Sequence, residues 1–497
     1  MNEAYFLKLQ NGSDIRGVAV SVPGEAPINL TLGAANNIGQ SYVDWVSEKL
    51  GKPASEIKIG IGRDSRISGE ELCGAICDGI LSTGAYVVDC GHATTPSMFM
   101  SILYPETQFD ASIMITASHL PYNRNGMKFF TKDGGLDKGD ITAILKNAAT
   151  KDDLFPNEEQ AKNFDRFNLI ELYAADLREK IKAGVQAKDY EHPLCNLKII
   201  VDAGNGEGGF FATKILEPLG ADITGSQFLE PDGMFPNHVP NPEDKEAMAA
   251  VVKATVENKA DLGLIFDTDV DRMSAVLADG TPINRDGLIA MMAAILAPDY
   301  PGSTIVTDSV TSDRLKDFLE LELGLKHLCF KRGYKNVINK CKELNEQGIE
   351  SPLAIETSGH GAMKENYYLD DGAYQAVKLL IALAKRRQEG KSIESLTEKM
   401  SFAFADVEQR IKIEEEDYKE YGRQMLEKFK TNAQKEGVAL VESYEGVRIS
   451  VDQEGVKGWA LLRASLHDPV LVLNVEGRNQ AECDTILKLV KKLIENE

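Results

Sequence analysis

One serine, one histidine, two asparagines, one arginine and one lysine crowd into Thr116–Lys128, TASHLPYNRNGMK, directly after the apolar run Ala111–Ile115. Pro121 keeps a helix or strand from continuing, which predicts an irregular, exposed turn at Ser118. A serine hydroxyl is a poor nucleophile alone and needs a base or a transferable group. His119 and Lys128 place ionisable groups close by, with Asn123, Arg124, Asn125 and Gly126 between. Taken singly, the segment also fits an ordinary polar loop.

A second cluster is Phe266–Arg272, FDTDVDR. Asp267, Asp269 and Asp271 alternate after a buried run, so their oxygens can converge on one hard cation such as Mg²⁺. Carboxylates this close repel each other, and a metal ion gives a physical reason for their coexistence. Arg272 adds a cation beside them. An aspartate pair after a strand also suits aspartyl-phosphate phosphatases, so the segment alone leaves that class open.

Glu356–His360, ETSGH, follows the run Pro352–Ile355 and can aim a carboxylate, a hydroxyl and an imidazole from one extended loop. Such groups suit sugar hydroxyls. In Arg463–Pro469, RASLHDP, an arginine, a serine, a histidine and backbone N–H groups can hold a phosphate. A plain β-turn explains that segment equally well. Gly12–Gly17 (GSDIRG) and Gly62–Gly69 (GRDSRISG) each set an arginine beside an aspartate near glycine, as structural turns also do.

These segments need a scaffold, and the intervening sequence supplies one. Short β-branched runs end in Gly or Asp at Glu56–Gly62, Tyr86–Cys90, Leu197–Asp202, Leu262–Asp267 and Thr304–Asp308, and read as buried parallel strands. Helical patterns lie between them at Ile38–Leu50, Glu70–Thr83, Asp313–Leu323 and Gly372–Gln388. Strand and helix repeated in this way predict α/β units, whose ligands bind at the carboxyl ends of strands. After Ser401 the texture changes. An alternating run at Phe404–Glu415, a helix at Tyr418–Lys435, strands at Val447–Val451, Trp459–Ala464 and Val470–Glu476, and an amphipathic Gln480–Asn496 predict a smaller α+β domain. Linker candidates are Thr150–Gln160 and Lys188–Pro193.

The chain has 497 residues, enough for several cores, with 43% apolar and 27% charged residues, as in soluble globular proteins. Its net charge of −22 disfavours nucleic acid and anionic membranes as partners, while a local basic pocket can still hold a small anion. No apolar run approaches a membrane span. The opening MNEAYFLKLQNGSD lacks the pattern of a secretory signal. Seven scattered cysteines without a CxxC pair fit a reducing compartment. A cytoplasmic location is therefore expected.

Together the motifs resemble the α-D-phosphohexomutase family, in chain order and over nearly the whole chain. The family's serine loop, TASHNPxxxNGxK, is matched at Thr116–Lys128 with Leu120 in place of Asn. Its DxDxDR loop is matched at Asp267–Arg272, and its GExSGH loop at Glu356–His360 with Ile355 where Gly is usual. Its PDGxFPxHxPNPE stretch stands intact at Pro231–Glu243, and its glycine-rich pieces at Asp202–Gly206 and Gly62–Gly69.

The resemblance implies three related α/β domains and a smaller C-terminal α+β domain around a central cleft, divided as 1–160, 161–284, 285–398 and 399–497. It implies a phosphoglucomutase or phosphomannomutase that interconverts hexose 1-phosphate and hexose 6-phosphate. A phosphoserine at Ser118 and a hexose 1,6-bisphosphate intermediate, also an activator, carry the phosphoryl group. Catalytic residues carried over are Ser118, Lys128, Arg16, His119 and His360. One Mg²⁺ per chain is expected on Asp267, Asp269, Asp271 and Ser118. Arg272, Lys335, Glu356, Ser358, Arg463, Ser465 and His467 are expected to bind substrate. The implied partners are small hexose phosphates, and the implied assembly is a monomer or small homo-oligomer.

Two departures bear on substrate. The usual phosphate loop, RxSGTEP, has Leu466, His467 and Asp468 in place of Gly-Thr-Glu. Thr357 replaces the Met common in enzymes that accept glucose and mannose phosphates, and the Gln of those that take glucosamine phosphate. A phosphoglucosamine mutase, an aspartate-dependent phosphatase and a non-catalytic sugar-phosphate sensor are the alternatives.

Overall fold

The computed structural model describes residues 1–400, 404–415, 417–453, 455–465 and 469–495. The chain forms two compact units, Met1–Asn284 with Ser358–Ile393, and Arg285–Thr357 with Glu394–Glu497.

The first sheet of the larger unit runs, in spatial order, Gln10–Asn11, Asp14–Val18, Arg124–Thr131, Ala111–Ile115, Lys58–Arg63, Tyr86–His92 and Phe164–Arg166, with Gly134–Gly135 paired beside Arg124–Thr131. Lys58–Arg63 is parallel to Tyr86–His92 and to Ala111–Ile115, as their apolar runs predict. The remaining pairs on the Ala111–Ile115 side are antiparallel, so the sheet is mixed. The reason is chain length: the connection 116–123 is too short for a crossover, which takes about a dozen residues. The chain must turn straight back, so Arg124–Thr131 becomes a strand. Lys128 therefore lies on a strand and not in the loop that the sequence suggests.

The second sheet repeats the device in the order Pro282–Ile283, Met273–Leu277, Leu262–Phe266 and Ile199–Asp202. Leu262–Phe266 is parallel to Ile199–Asp202 and antiparallel to Met273–Leu277. The aspartate-rich segment is the short turn between the antiparallel pair.

Helices cover these sheets. Leu32–Leu50 starts at Thr31, whose side chain accepts the Ala34 N–H, and stops at Gly51 in the left-handed region. Its Ile38, Tyr42 and Val46 recur at helical spacing and are fully buried in the core with Ile59, Ile61 and Ile113.

In the smaller unit, Lys326–Cys329, Thr304–Thr307 and Leu353–Ile355 form a parallel set in that order. The C-terminal sheet is antiparallel, ordered Ala405–Lys412, Val470–Gly477, Val456–Ala464, Val447–Gln453 and Ala439–Val441. Helices Tyr418–Lys435 and Gln480–Glu495 lay their apolar sides on it, with Phe429, Ile486 and Val490 fully buried. The fold is three α/β/α domains followed by this smaller sheet-and-helix domain. Among the described residues, no helix is long and apolar enough to cross a membrane.

Candidate active site

The two antiparallel turns of the larger unit meet at Ser118. Its Oγ donates to Asp267 Oδ2 at 2.9 Å, and Arg272 Nη2 donates to the same Oγ at 2.9 Å. Ser118 has φ +50°, a region that costs a non-glycine residue roughly 1–2 kcal/mol, and its N–H donates to Thr116 Oγ1 at 2.9 Å. The turn is irregular as expected, but Ser118 is only 5% exposed, which corrects the expected exposure. Burial follows from the aspartate-rich turn packing over it.

Asp267, Asp269 and Asp271 have no exposed surface, and one oxygen from each lies within 4.8 Å of the others. Burial and then the charges of Asp271 and Asp269 push the Asp267 carboxyl well above the usual range. Burial pushes Asp271 the same way, but Lys128 and Arg272 outweigh it and hold that carboxyl low. Lys128 Nζ bonds Asp271 Oδ2 and lies 3.5 Å from Asp269 Oδ2. Asp269 Oδ2 also accepts from Thr95 Oγ1 at 2.5 Å. Asp269 Oδ1 and Asp271 Oδ1 are buried without a hydrogen-bond partner. Orphaned hard oxygens and an excess of negative charge are what a divalent cation satisfies, so the triad fits Mg²⁺. Val270, between the ligands, also has positive φ (+65°), an outlier for a β-branched residue.

Arg272 links the turns. Nη2 also donates to His119 Nδ1 at 2.5 Å, and Nη1 lies 3.7 Å from Glu243 Oε2. Burial, then the cations Arg272 and Arg16, push His119 down to about 3. Its ring is therefore neutral. His360 is also held well below its usual value by burial, Arg272 and Lys128. His360 Nε2 lies 3.6 Å from both Asp271 Oδ1 and Asp370 Oδ2, and Nδ1 is 2.9 Å from Ser358 Oγ.

Arg16 and Lys128 share a sheet face, because Arg16 pairs with Gly126, two residues from Lys128. Arg16 bonds Thr116 O and pairs with Asp14 Oδ2 at 2.9 Å. Gly126 permits this arrangement, since a Cβ there would collide with the Ile15 carbonyl and stand 2.9 Å from Arg16 Cδ.

The structure thus brings Ser118, His119, Lys128, Arg16, Asp267, Asp269, Asp271, Arg272, Ser358 and His360 into one unit. Lys335, Glu356, Arg463 and Ser465 belong to the other. There Glu356 Oε1 accepts the Gly333 N–H at 2.6 Å, and Thr357 Oγ1 donates to Asp308 Oδ2 at 2.7 Å. Lys335 is half-buried in the first turn of the helix Tyr334–Glu346. Among the described residues, buried Arg463 Nε has no hydrogen-bond partner. Burial and nearby Arg332 push Arg463 down, against Glu445 and Glu408. Ser465 N–H donates to Val470 O at 2.9 Å. His467 lies outside the described residues. Sequence reasoning missed Thr95 and Arg66, which touch these turns. Thr95 had no signal beyond a helix start at TTP, and Arg66 was visible only as part of GRDSRISG.

Residues 8–155, 171–280 and 284–402 match α/β/α domains I, II and III of phosphoglucomutase/phosphomannomutase. The chain is 32% identical over 448 residues to the phosphomannomutase/phosphoglucomutase of Pseudomonas syringae pv. tomato, covering 89% of this chain and 88% of that one. It is 29% identical over 484 residues to the phosphoglucomutase of Neisseria gonorrhoeae, covering 97% and 96%. A phosphoglucomutase/phosphomannomutase family protein from Burkholderia thailandensis has a similar structure, with TM-score 0.79, 26% identity and coverage of 100% and 98%. The fold is that of an α-D-phosphohexomutase, a class of isomerase that acts on sugar phosphates. The chain belongs to the phosphoglucomutase/phosphomannomutase family. This sets aside the aspartate-dependent phosphatase and the non-catalytic sensor.

Proposed function

We propose that this phosphohexomutase interconverts the 1- and 6-phosphates of glucose, mannose or both through a phosphorylated Ser118 and a hexose 1,6-bisphosphate. The observation that carries the reading is the buried Ser118 Oγ, 2.9 Å from both Asp267 Oδ2 and Arg272 Nη2. In the first half-reaction a sugar hydroxyl attacks the phosphorus on Ser118. A phosphorus–oxygen bond to the sugar forms, the bond to Oγ breaks, and Oγ keeps the electron pair. Lys128 relays the proton: it gives one to Oγ as it takes the one lost by the attacking hydroxyl, so its own charge is unchanged at the end of the step. The second half-reaction reverses these steps with the other phosphate of the bisphosphate.

Arg16 and Arg272 offset charge on the moving phosphoryl group. His119 and His360, both neutral, accept or donate hydrogen bonds without changing charge. Asp267, Asp269, Asp271 and an oxygen on Ser118 would hold one Mg²⁺, which supplies charge neutralisation for phosphoryl transfer. Glu356 and Ser358 meet sugar hydroxyls, while Lys335, Arg463, Ser465 and His467 hold the phosphate that is not moving. The same reading takes the domain borders at residues 160, 284 and 398, a cytoplasmic setting, and a monomer or small homo-oligomer.

The test is intact mass together with a coupled isomerisation assay on glucose, mannose and glucosamine 1-phosphates. Wild type is expected to carry a phosphate adduct that Ser118→Ala lacks, and to turn over glucose or mannose phosphate at the highest kcat/KM. A fully active Ser118→Ala variant would overturn the phosphoserine. A preference for glucosamine 1-phosphate would overturn the choice of sugar.

A further inference from the structure

Gly62–Gly69 and Pro231–Pro236 contribute no ligand to the carboxylate cluster, yet the two segments meet at Arg66. The Arg66 side chain is fully buried. Nη2 donates to Ser118 O at 2.5 Å and to Leu120 O at 2.6 Å, while Nη1 donates to Pro121 O at 2.7 Å and to Arg124 O at 2.9 Å. Three of the four acceptors lie in the turn that carries Ser118 and the fourth opens the next strand, so one guanidinium fixes the turn from Ser118 to the start of that strand. Five donors in a rigid plane suit this task, and the point charge of a lysine does not.

Arg66 is itself held from two sides. Its Nε lies 3.3 Å from Asp64 Oδ2, and its backbone N–H donates to Asp64 Oδ1 at 3.1 Å. On the other side its guanidinium lies 5.2 Å from the centroid of the Phe235 ring. Phe235 has φ +50° and belongs to a turn anchored where Asp232 N–H donates to Asn205 O at 2.9 Å. A Cβ on Gly233 would stand 2.7 Å from Arg66 Cα and 2.5 Å from Ile67 N. Only glycine there lets the two segments close up.

We propose that Arg66 is a positioning residue that sets the Ser118 turn through its backbone carbonyls, and that Phe235 and Gly233 hold Arg66 in place. The role in catalysis rests on the reading of Ser118 as phosphoryl carrier. The clamp acts on the backbone and leaves the reacting groups untouched, so its loss misplaces Oγ without removing a ligand or a proton carrier. Misplacement of this kind lowers kcat more than it raises KM.

The experiment uses full-length Phe235→Leu, Gly233→Ala and Arg66→Ala, with steady-state kinetics, thermal midpoints and hydrogen exchange of a peptide spanning 116–128. Phe235→Leu and Gly233→Ala are expected to lower kcat by about ten- to hundredfold with KM within about twofold. Exchange should quicken in 116–128 and stay unchanged in Leu32–Leu50. Arg66→Ala should regain part of its kcat with millimolar guanidinium, and Phe235→Leu decides if that variant does not fold. Wild-type kcat and exchange in Phe235→Leu would overturn the clamp, and so would exchange quickened equally in Leu32–Leu50. If wild type carries no phosphate while the variants still loosen 116–128, the clamp stands and the phosphoserine reading falls. If wild type is phosphorylated and the variants match its rate, the clamp alone falls.

Discussion

Three carboxylates without exposed surface, Asp267, Asp269 and Asp271, face two side-chain cations, Lys128 and Arg272. This leaves an excess of buried negative charge that a divalent cation offsets. Mg²⁺ at about a hundred times its dissociation constant should therefore stabilise the wild type by about 2.7 kcal/mol. In Asp269→Asn, thermal unfolding should show a much smaller rise, and activity should need far more Mg²⁺. An equal rise in both proteins would place the ion elsewhere. Lys128 is 4% exposed and bonded to Asp271, so it touches the cluster as well as the proposed proton path. Lys128→Met keeps much of its volume and removes the amine. It should lower kcat by about 10²–10⁴-fold with little change in KM. A change in KM alone, read from steady-state kinetics, would make Lys128 a binding residue.

At the scale of elements, both chemical segments are short turns joining antiparallel strands, each with a strained residue, Ser118 or Val270. A helix start completes the site. Thr94 caps Thr95–Leu103 in a reciprocal arrangement with Ser97, and the first helical residue, Thr95, donates to Asp269 from both Oγ1 and N–H. Loss of the cap in Thr94→Ala should cost about 1 kcal/mol in urea unfolding. No loss would mean that the helix start is held by packing of the buried Thr95 and Pro96 alone.

At the scale of the whole molecule, Ser358–Ile393 returns to the larger unit and is tied there by Asp371. Asp371 caps the helix Gly372–Gln388, and Tyr173, 198 residues away in sequence, donates to its Oδ1 and Oδ2 at 2.7 and 2.8 Å. Burial pushes Asp371 from 3.8 up to about 6, against hydrogen bonds from Tyr374, Tyr173 and Asn366. The folded state then binds this proton more tightly than the unfolded chain does. Its contribution is full below about pH 3.8 and is lost as pH rises through about 6. Asp371→Asn should lie lower in thermal midpoint throughout, yet lose less between pH 5 and pH 7 than wild type. Parallel pH profiles would show that Asp371 does not titrate in this window.

Much was legible in the sequence because it is local. Alternate aspartates after an apolar run, a serine three residues past a strand and the period of Gly372–Gln388 are short-range patterns, and the structure keeps each of them. The motif spacings also sufficed to indicate the family. The sequence did not show that Ser118 is buried, that Lys128 lies on a strand, or that Arg66 and Thr95 reach the two chemical turns. Thr95 meets Asp269 across 174 positions and Arg66 meets Ser118 across 52. Such partners are chosen by which strands pair and which helix ends reach the same sheet edge, and no local spacing encodes that. Burial was likewise decided only by tertiary packing: one turn closes over the other, water is excluded, and ordinary carboxyl and imidazole groups acquire the shifted charge states on which the proposed chemistry depends.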